Sequence, residues 1–257
     1  MKKSLSFLFA FALCCALAAC GGGRNTGGSL PPPTAETQPA EPPAGSRPWK
    51  TPDDAAFADG SDGPGAEGKA EAGDGILIAY FTYGENAPLG DGVDASTSAS
   101  IQYRGDELTG NTGLVADMIA DATGGELFSI LTAEQYPDSY GDTVEAGQAE
   151  RRAGARPELA SHLDSLDGYG TVFLGFPNWW GDMPMAVYSF LDEYDLSGKT
   201  IVPFVTSGGS GFSGTMQAIE QAEPDAEVLE GLSIRDSRSI RAEDDVAEWL
   251  ARIGLAG

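Results

Sequence analysis

Three separated segments of this sequence combine residue types that bind a phosphate with residue types that bind a flat ring. The first consists of Thr82 and, after an insertion at 83–108, the run Thr109-Gly110-Asn111-Thr112. These residues offer hydroxyl, amide and backbone N–H donors, and a helix beginning here would add its own free N–H groups, which suits a phosphate. Taken alone, the tetrapeptide also suits a plain helix cap.

The second segment is the run Pro177-Asn178-Trp179-Trp180-Gly181, which directly follows an apolar stretch. Large aromatic rings just beyond a buried strand offer a face on which a planar ligand can stack. We expect one Trp to stack on such a ligand and the other to pack beneath it. The alternative is one core Trp and one rim Trp with no ligand against them.

The third segment, Ser207-Gly208-Gly209-Ser210-Gly211, follows another apolar stretch. Small residues let the backbone approach a ligand closely and donate N–H groups to it. A flexible turn without a task is the alternative. Because all three segments follow predicted strands, we expect them to meet at one edge of a sheet and to form one pocket.

The cysteine and histidine content excludes several kinds of catalytic site. All three cysteines, Cys14, Cys15 and Cys20, lie in the first 20 residues, and His162 is the single histidine. A disulfide, a thiolate metal site or a thiol nucleophile is therefore not available to the rest of the chain, and a Ser-His-Asp triad or a multi-histidine metal centre is nearly excluded. Redox chemistry would need a bound organic cofactor.

The N-terminus has the pattern of an export signal. Residues 1–19 combine Lys2 and Lys3 with a short apolar stretch and small residues, which favours a cleaved signal over a membrane-spanning helix. The run Leu17-Ala18-Ala19-Cys20 resembles a bacterial lipobox, which implies cleavage before Cys20 and lipidation of its sulfur. We expect an exported chain, lipid-anchored to a bacterial membrane on its extracytoplasmic side. An ordinary signal peptide is the alternative.

Composition divides the remainder into a tether and one domain. Residues 20–74 are rich in Pro, Gly and Ala and contain few aliphatic side chains, which predicts a disordered linker. Residues 75–257 carry 30 Asp and Glu against 9 Lys and Arg, a net charge of −21. Such a field repels nucleic acid and favours a partner that is basic at the contact. Solubility alone would also explain the charge.

The domain alternates apolar runs with amphipathic stretches, which predicts a parallel sheet covered on both faces by helices. The predicted strands are 76–81, 126–131, 171–176, 200–206 and 227–229. The predicted helices are 113–122, part of 143–160, 185–194, 214–222 and 242–253. Ligands of such α/β sheets bind at the carboxyl ends of the strands.

A phosphate-binding segment and an aromatic surface at the edge of one sheet suit flavin mononucleotide (FMN). The motifs quoted above resemble those of the flavodoxins. The similarity covers residues 75–254. It implies a doubly wound five-stranded parallel sheet of order 2-1-3-4-5 and non-covalent FMN. It also implies that Thr82 and residues 109–112 hold the phosphate, while residues 177–181 and 207–211 face the ring.

These observations favour an FMN-binding flavodoxin-like lipoprotein in extracytoplasmic electron transfer. Its partner would be a redox protein, or a small electron acceptor. An FMN-dependent reductase of a quinone or other small acceptor is one alternative. A surface binding lipoprotein that kept the fold but has no redox role is another.

Overall fold

A computed structural model describes residues 73–88 and 100–256. The proposed signal peptide, the lipidation site Cys20, nearly all of the linker and part of the insertion lie outside the described residues. Within the described ranges, none of the helices combines the length and apolar composition needed to cross a membrane.

The described elements alternate along the chain as the hydrophobic pattern predicts. The strands are β1 (Gly75–Tyr80), β2 (Ile101–Arg104), β3 (Glu107–Gly110), β4 (Glu126–Ser129), β5 (Tyr169–Pro177), β6 (Thr200–Ser207), β7 (Glu227–Val228) and β8 (Leu232–Arg235). The α-helices are α1 (Asn111–Thr123), α2 (Tyr140–Ala153), α3 (Met185–Glu193), α4 (Thr215–Ala222) and α5 (Glu243–Ile253). Two 3₁₀ helices, Tyr83–Glu85 and Asp236–Arg241, follow β1 and β8.

The central sheet is parallel and has the order β4-β1-β5-β6, with β7 and β8 both pairing with β6. This confirms the predicted fold class and the order 2-1-3-4-5, with two short strands sharing the fifth position. The carboxyl ends of β1, β5, β6 and β8 therefore lie side by side. The loops that contain the three candidate segments start at this edge.

Both faces of the sheet are buried, which explains why its strands have nearly continuous apolar runs. In β1, Leu77 and Ala79 belong to a core cluster that includes residues of α3 and α4. The alternate residues Ile78 and Tyr80 belong to a second cluster with residues of α1 and α5. Side chains of a strand alternate between faces, so one apolar run supplies both cores.

Two local features differ from the sequence-based expectation. The insertion contains an antiparallel hairpin, β2 and β3, where only a long loop was expected. Helix α2 begins at Tyr140 because the Ser139 hydroxyl accepts a hydrogen bond from the backbone N–H of Asp142, and it ends before Gly154, whose φ of 57° closes the helix. The predicted helical stretch at 143–160 is therefore shifted towards the N-terminus.

Glu223, which follows α4, makes the stability of this fold depend on pH. Its side chain is nearly buried, and burial, followed by repulsion from Asp195, raises the pKa of Glu223 from 4.5 to about 7. The pKa of Glu223 is higher in the folded chain than in the unfolded chain, so folding favours its protonated form. The contribution of Glu223 to the free energy of unfolding is therefore complete below about pH 4.5 and is lost as the pH rises through about 7.

We therefore expect Glu223→Gln to raise the free energy of unfolding by about 1 kcal/mol at about pH 8 and to change it little at about pH 4. Urea unfolding at both pH values measures this difference. Glu220→Gln, an exposed position in the same region of α4, is the control. An equal effect of the two substitutions at about pH 8 would contradict the assignment.

Candidate functional site

A cavity of about 300 Å³ opens at the carboxyl edge of the sheet. Its walls come from the ends of β1, β5 and β6, the first turns of α1 and α2, and the start of the 3₁₀ helix after β8. The lining residues are Thr82, Tyr83, Ser100, Asn111, Thr112, Tyr140, Thr143, Val144, Pro177, Asn178, Trp179, Trp180, Thr206, Ser207, Gly208 and Asp236.

All three candidate segments contribute to this cavity. The predicted site residues that line it are Thr82, Asn111, Thr112, Pro177, Asn178, Trp179, Trp180, Ser207 and Gly208. The predicted site residues that do not line it are Thr109, Gly110, Gly181, Gly209, Ser210 and Gly211. Thr109 and Gly110 end strand β3, and the other four belong to the loops after β5 and β6.

The hairpin in the insertion reunites the two halves of the first segment. A Cβ atom on Gly110 would lie 2.1 Å from the Thr82 hydroxyl oxygen and 2.8 Å from the backbone oxygen of Ser100. The backbone at Gly110 thus packs directly on Thr82 although the two are far apart in sequence. Only glycine permits this approach, and it brings Thr82 to the N-terminus of α1.

Thr109 stabilises this arrangement from behind the cavity. Its hydroxyl donates a hydrogen bond of 2.5 Å to the Glu85 carboxylate, which also accepts from the Tyr80 hydroxyl at 3.2 Å and from the Ser129 hydroxyl. Burial, and then the Glu85 charge, raise the pKa of Tyr80 to about 12, so that its hydroxyl remains a donor. Thr109 therefore supports the site without lining it.

The first turn of α1 is fixed by hydrogen bonds to its surroundings. The Asn111 amide oxygen accepts from Gln102 Nε2 at 2.8 Å and from the Ser239 hydroxyl at 2.7 Å. The Thr112 hydroxyl lies 2.8 Å from that of Thr206 at the end of β6. The result is a preformed set of hydroxyl and amide groups at a helix N-terminus, a geometry that suits an anionic group.

The two tryptophans occupy different positions. Trp179 packs edge-on against Phe81 and Tyr136, with ring centroids 5.5 and 5.2 Å apart. Trp180 is 37% exposed, lies further out, and has a left-handed backbone with φ of 55°. Trp179 is thus the ring packed against the core and Trp180 the outer ring, while both line the cavity.

Asn178 ties the tryptophan loop to the glycine-rich loop. Its side-chain N–H group donates to the backbone oxygen of Gly211 at 2.7 Å and to the Ser213 hydroxyl at 3.1 Å. Its side-chain oxygen accepts from the backbone N–H of Gly181 at 2.9 Å. One amide therefore holds both loops in register around the cavity.

The glycine-rich loop offers fewer free donors than its composition predicts. The Ser207 hydroxyl oxygen accepts hydrogen bonds from the backbone N–H groups of Gly209 at 3.2 Å and Gly211 at 3.0 Å. These two amides thus stabilise the loop itself. The close approach of backbone to ligand is left to Gly208, which lines the cavity beside Ser207.

Sequence reasoning missed Asp236, which is the one formally charged side chain among the described lining residues. Burial raises the pKa of Asp236 above its usual range. The residue directly follows β8, a strand that the hydrophobic pattern did not predict. Recognising the alternation of buried Leu232 and Ile234 with exposed residues would have placed it at the carboxyl edge.

The lining combines polar donors with aromatic rings. It has hydroxyls and amides at one end and aromatic rings at the other, and its described residues include no Lys, Arg, His or Cys. Such a cavity can orient an anionic group and a flat ring.

Comparisons with known proteins agree with the fold. The flavodoxin family model matches residues 106–253. A candidate flavoprotein structure from Bacteroides eggerthii is 26% identical with a TM-score of 0.54, over 70% of this chain and 98% of that one. One from Bacteroides uniformis is 25% identical with a TM-score of 0.52, over 70% and 99%. No curated protein matches the sequence.

A flavoprotein from Lactobacillus acidophilus, solved in complex with FMN, is more distant. It is 17% identical with a TM-score of 0.45, over 66% of this chain and 99% of that one.

The contact between α2 and the tryptophans gives a test of the site. A Cβ atom on Gly147 would lie 2.8 Å from the Trp180 ring and 3.2 Å from the Trp179 ring. We expect Gly147→Ala to displace the rings and lower the free energy of unfolding by about 1–3 kcal/mol, despite the better helix propensity of Ala. Urea unfolding and near-ultraviolet circular dichroism measure both effects.

Gly141→Ala is the matched control. Gly141 lies in the same helix, and a Cβ atom there would meet nothing within 4 Å. We expect this substitution to leave the tryptophan signal unchanged and the stability unchanged or slightly higher. A Gly147→Ala protein that resembles the control in both measurements would show that α2 does not hold the tryptophans.

Proposed function

Because this chain belongs to the flavodoxin family, we propose that it is an FMN-binding lipoprotein that carries electrons outside the cytoplasm. The observation that carries the proposal is one cavity in which neutral donors at a helix N-terminus face a wall of two tryptophans. The phosphate of FMN requires such donors, and its isoalloxazine ring requires such an aromatic surface. The family membership and the lining of the cavity both support this ligand.

The donor end of the cavity fits a phosphate. Thr82 and Thr112 supply hydroxyls, and the first turn of α1 supplies backbone N–H groups with the positive end of the helix dipole. Gly110 brings these groups together because a side chain there would collide with Thr82. The described lining has no cation at this end, so binding would depend on the geometry of neutral donors.

The aromatic end fits a planar ring. Trp179 is held edge-on by Phe81 and Tyr136, which leaves little freedom to lose when a ligand binds. Trp180 lies outside it and is partly exposed, where it can cover a ring and exclude water from one face. Gly208 lets the backbone of the opposite loop approach the same ring.

When bound, FMN supplies the one-electron and two-electron chemistry that the lining side chains lack. The protein's own residues bind and orient it. Asn178 joins the tryptophan loop to the glycine-rich loop, and both loops would border the ring. The hydroxyl groups of Thr112 and Thr206, which both line the cavity, form a hydrogen bond with each other.

The charge of the domain supports a basic redox partner. Residues 75–257 carry a net charge of −21, which would speed the encounter with a positively charged protein at low ionic strength. The same field makes a negatively charged flavin less favourable inside the cavity. We infer a low reduction potential for this reason.

Retention of FMN by the purified full-length chain is the first test. We expect a flavin absorbance spectrum at one flavin per chain after FMN is added and the sample is desalted, because the donors and tryptophans are preformed. A folded but colourless protein would contradict the proposal and favour a surface binding lipoprotein. Turnover of NAD(P)H with a quinone, without a partner protein, would instead favour a reductase.

Membrane attachment through Cys20 is tested by substitution. The lipobox-like run ending at Cys20 motivates the proposal of an exported lipoprotein, and firm anchoring needs more than one acyl chain. We expect Cys20→Ser to abolish labelling by a fatty-acid analogue. The variant chain, which still carries its signal, should no longer be processed as a lipoprotein. Cys15→Ser, within the proposed signal, is the control and should keep the label. A labelled Cys20→Ser chain would contradict the anchor.

A further inference from the structure

Three arginines follow one another closely at the carboxyl edge of an otherwise acidic domain. Residues 75–257 contain 30 Asp and Glu against 9 Lys and Arg, and Arg235, Arg238 and Arg241 are among the nine. Arg235 ends β8, and the other two belong to the 3₁₀ helix that follows. Because this helix has three residues per turn, Arg238 and Arg241 share one face, and Arg235 lies one turn before them. We call these three residues the arginine cluster.

Arg235 lies against the glycine-rich loop beside the cavity. In β8 the exposed residues Ser233 and Arg235 alternate with buried ones, so both extend from the same face. A Cβ atom on Gly211 would lie 3.4 Å from Ser233 Oγ, and one on Gly209 would lie 3.7 Å from Arg235 Cζ and 3.8 Å from Nη1 and Nη2. The guanidinium group is therefore next to Gly209, whose neighbour Gly208 lines the cavity.

The side chain of Arg235 lies at the rim of the cavity and not inside it. Arg235 is exposed, and it is not among the residues that line the cavity, whereas the next residue, Asp236, is one of them. The chain therefore places a carboxyl group in the lining and a guanidinium group beside the opening. That guanidinium group faces a molecule that arrives at the opening rather than one that fills the cavity.

The positive charge of the arginine cluster is only partly neutralised by the fold. Arg238 pairs with Asp245 at 2.9 Å. Arg235 and Arg241 take part in none of the ion pairs between described residues. Their guanidinium groups can pair with an anion from outside, and the planar fork of arginine suits the two oxygens of a carboxylate or phosphate.

This inference rests on the proposed function, because it concerns the molecule that exchanges electrons with the bound flavin. We propose that the arginine cluster is a rim site for a small anionic electron donor or acceptor, whose carboxylate or phosphate pairs with Arg235. The net charge of −21 acts on a partner at a distance, but salt screens such interactions beyond about 8–10 Å. At contact distance the guanidinium groups determine which sign of charge is bound.

The test compares two small electron acceptors of opposite charge, the anion ferricyanide and the cation hexaammineruthenium(III). The full-length chain is loaded with FMN, reduced with one equivalent of dithionite without oxygen, and mixed with either acceptor while the flavin absorbance is followed. Two ions of either complex take the two electrons of one reduced flavin. Each metal passes from the +3 to the +2 state, and the proton of the flavin is released to water.

Three variants separate local from overall charge. Arg235→Gln removes the charge at the rim, and Arg235→Lys keeps it. Arg152→Gln is the matched control, because Arg152 is also exposed and takes part in none of the ion pairs between described residues. It lies near the C-terminal end of α2, about 18 Å along the helix from Tyr140, which lines the cavity.

We expect Arg235→Gln to slow the reaction with ferricyanide by about 3- to 10-fold at low ionic strength and to accelerate the reaction with hexaammineruthenium(III). Both effects should disappear at high salt, because screening removes them. Arg235→Lys should retain most of the ferricyanide rate. Arg152→Gln should change either rate by less than about twofold, since its charge is far from the opening.

Two outcomes would overturn the proposal. Equal changes in Arg235→Gln and Arg152→Gln would mean that only the overall charge acts on the acceptor. Unchanged rates in Arg235→Gln would mean that no anion is bound at the rim, and a faster reaction of the unmodified chain with the cation would then favour a basic partner.

Failure of the proposed function has a different signature, because the unmodified chain would then retain no flavin after desalting. A second measurement tests the rim site without flavin. Phenylglyoxal modifies exposed arginines, and mass spectrometry reports the modification of each one. We expect citrate to protect Arg235 more than Arg152 when compared with sodium chloride of the same ionic strength. Equal protection of the two arginines would contradict an anion site at the rim.

Discussion

The candidate site depends on one carboxylate that lies behind it. Glu85 accepts hydrogen bonds from hydroxyls on three different strands, Tyr80 of β1, Thr109 of β3 and Ser129 of β4. A partly buried carboxylate requires such donors, and in return it fixes the end of the inserted hairpin against the sheet. Gly110 can then pack on Thr82, and α1 can start where its N-terminus faces the cavity.

Charge is distributed unevenly between the surface and the site. The domain as a whole is strongly acidic, yet the described cavity lining is neutral except for Asp236. Neutral donors fixed by the fold can hold an anion without a counter-charge, because their dipoles need no rearrangement when it arrives. The negative charge of the surface can therefore act on the encounter with a partner. The dipoles of the cavity lining can act separately, on the retention of a ligand.

The sequence predicted the sheet and most of the cavity, because buried parallel strands have continuous apolar runs and their carboxyl ends meet at one edge. It did not predict the hairpin, whose sequence looks like a polar loop, or the short strand β8, and Asp236 was missed with that strand. Thr109 was expected in the cavity but faces Glu85 instead. Side-chain direction at a strand end depends on tertiary hydrogen bonds, which a residue pattern does not contain.

Trp180 has a left-handed backbone, with φ of 55°, a conformation that costs an ordinary residue roughly 1–2 kcal/mol and costs glycine almost nothing. A glycine here would avoid that cost but would lose the packing of the ring against Trp179 and against Gly147 of α2. Residues in costly backbone conformations concentrate at functional sites, so the backbone of Trp180 supports its assignment to the candidate site.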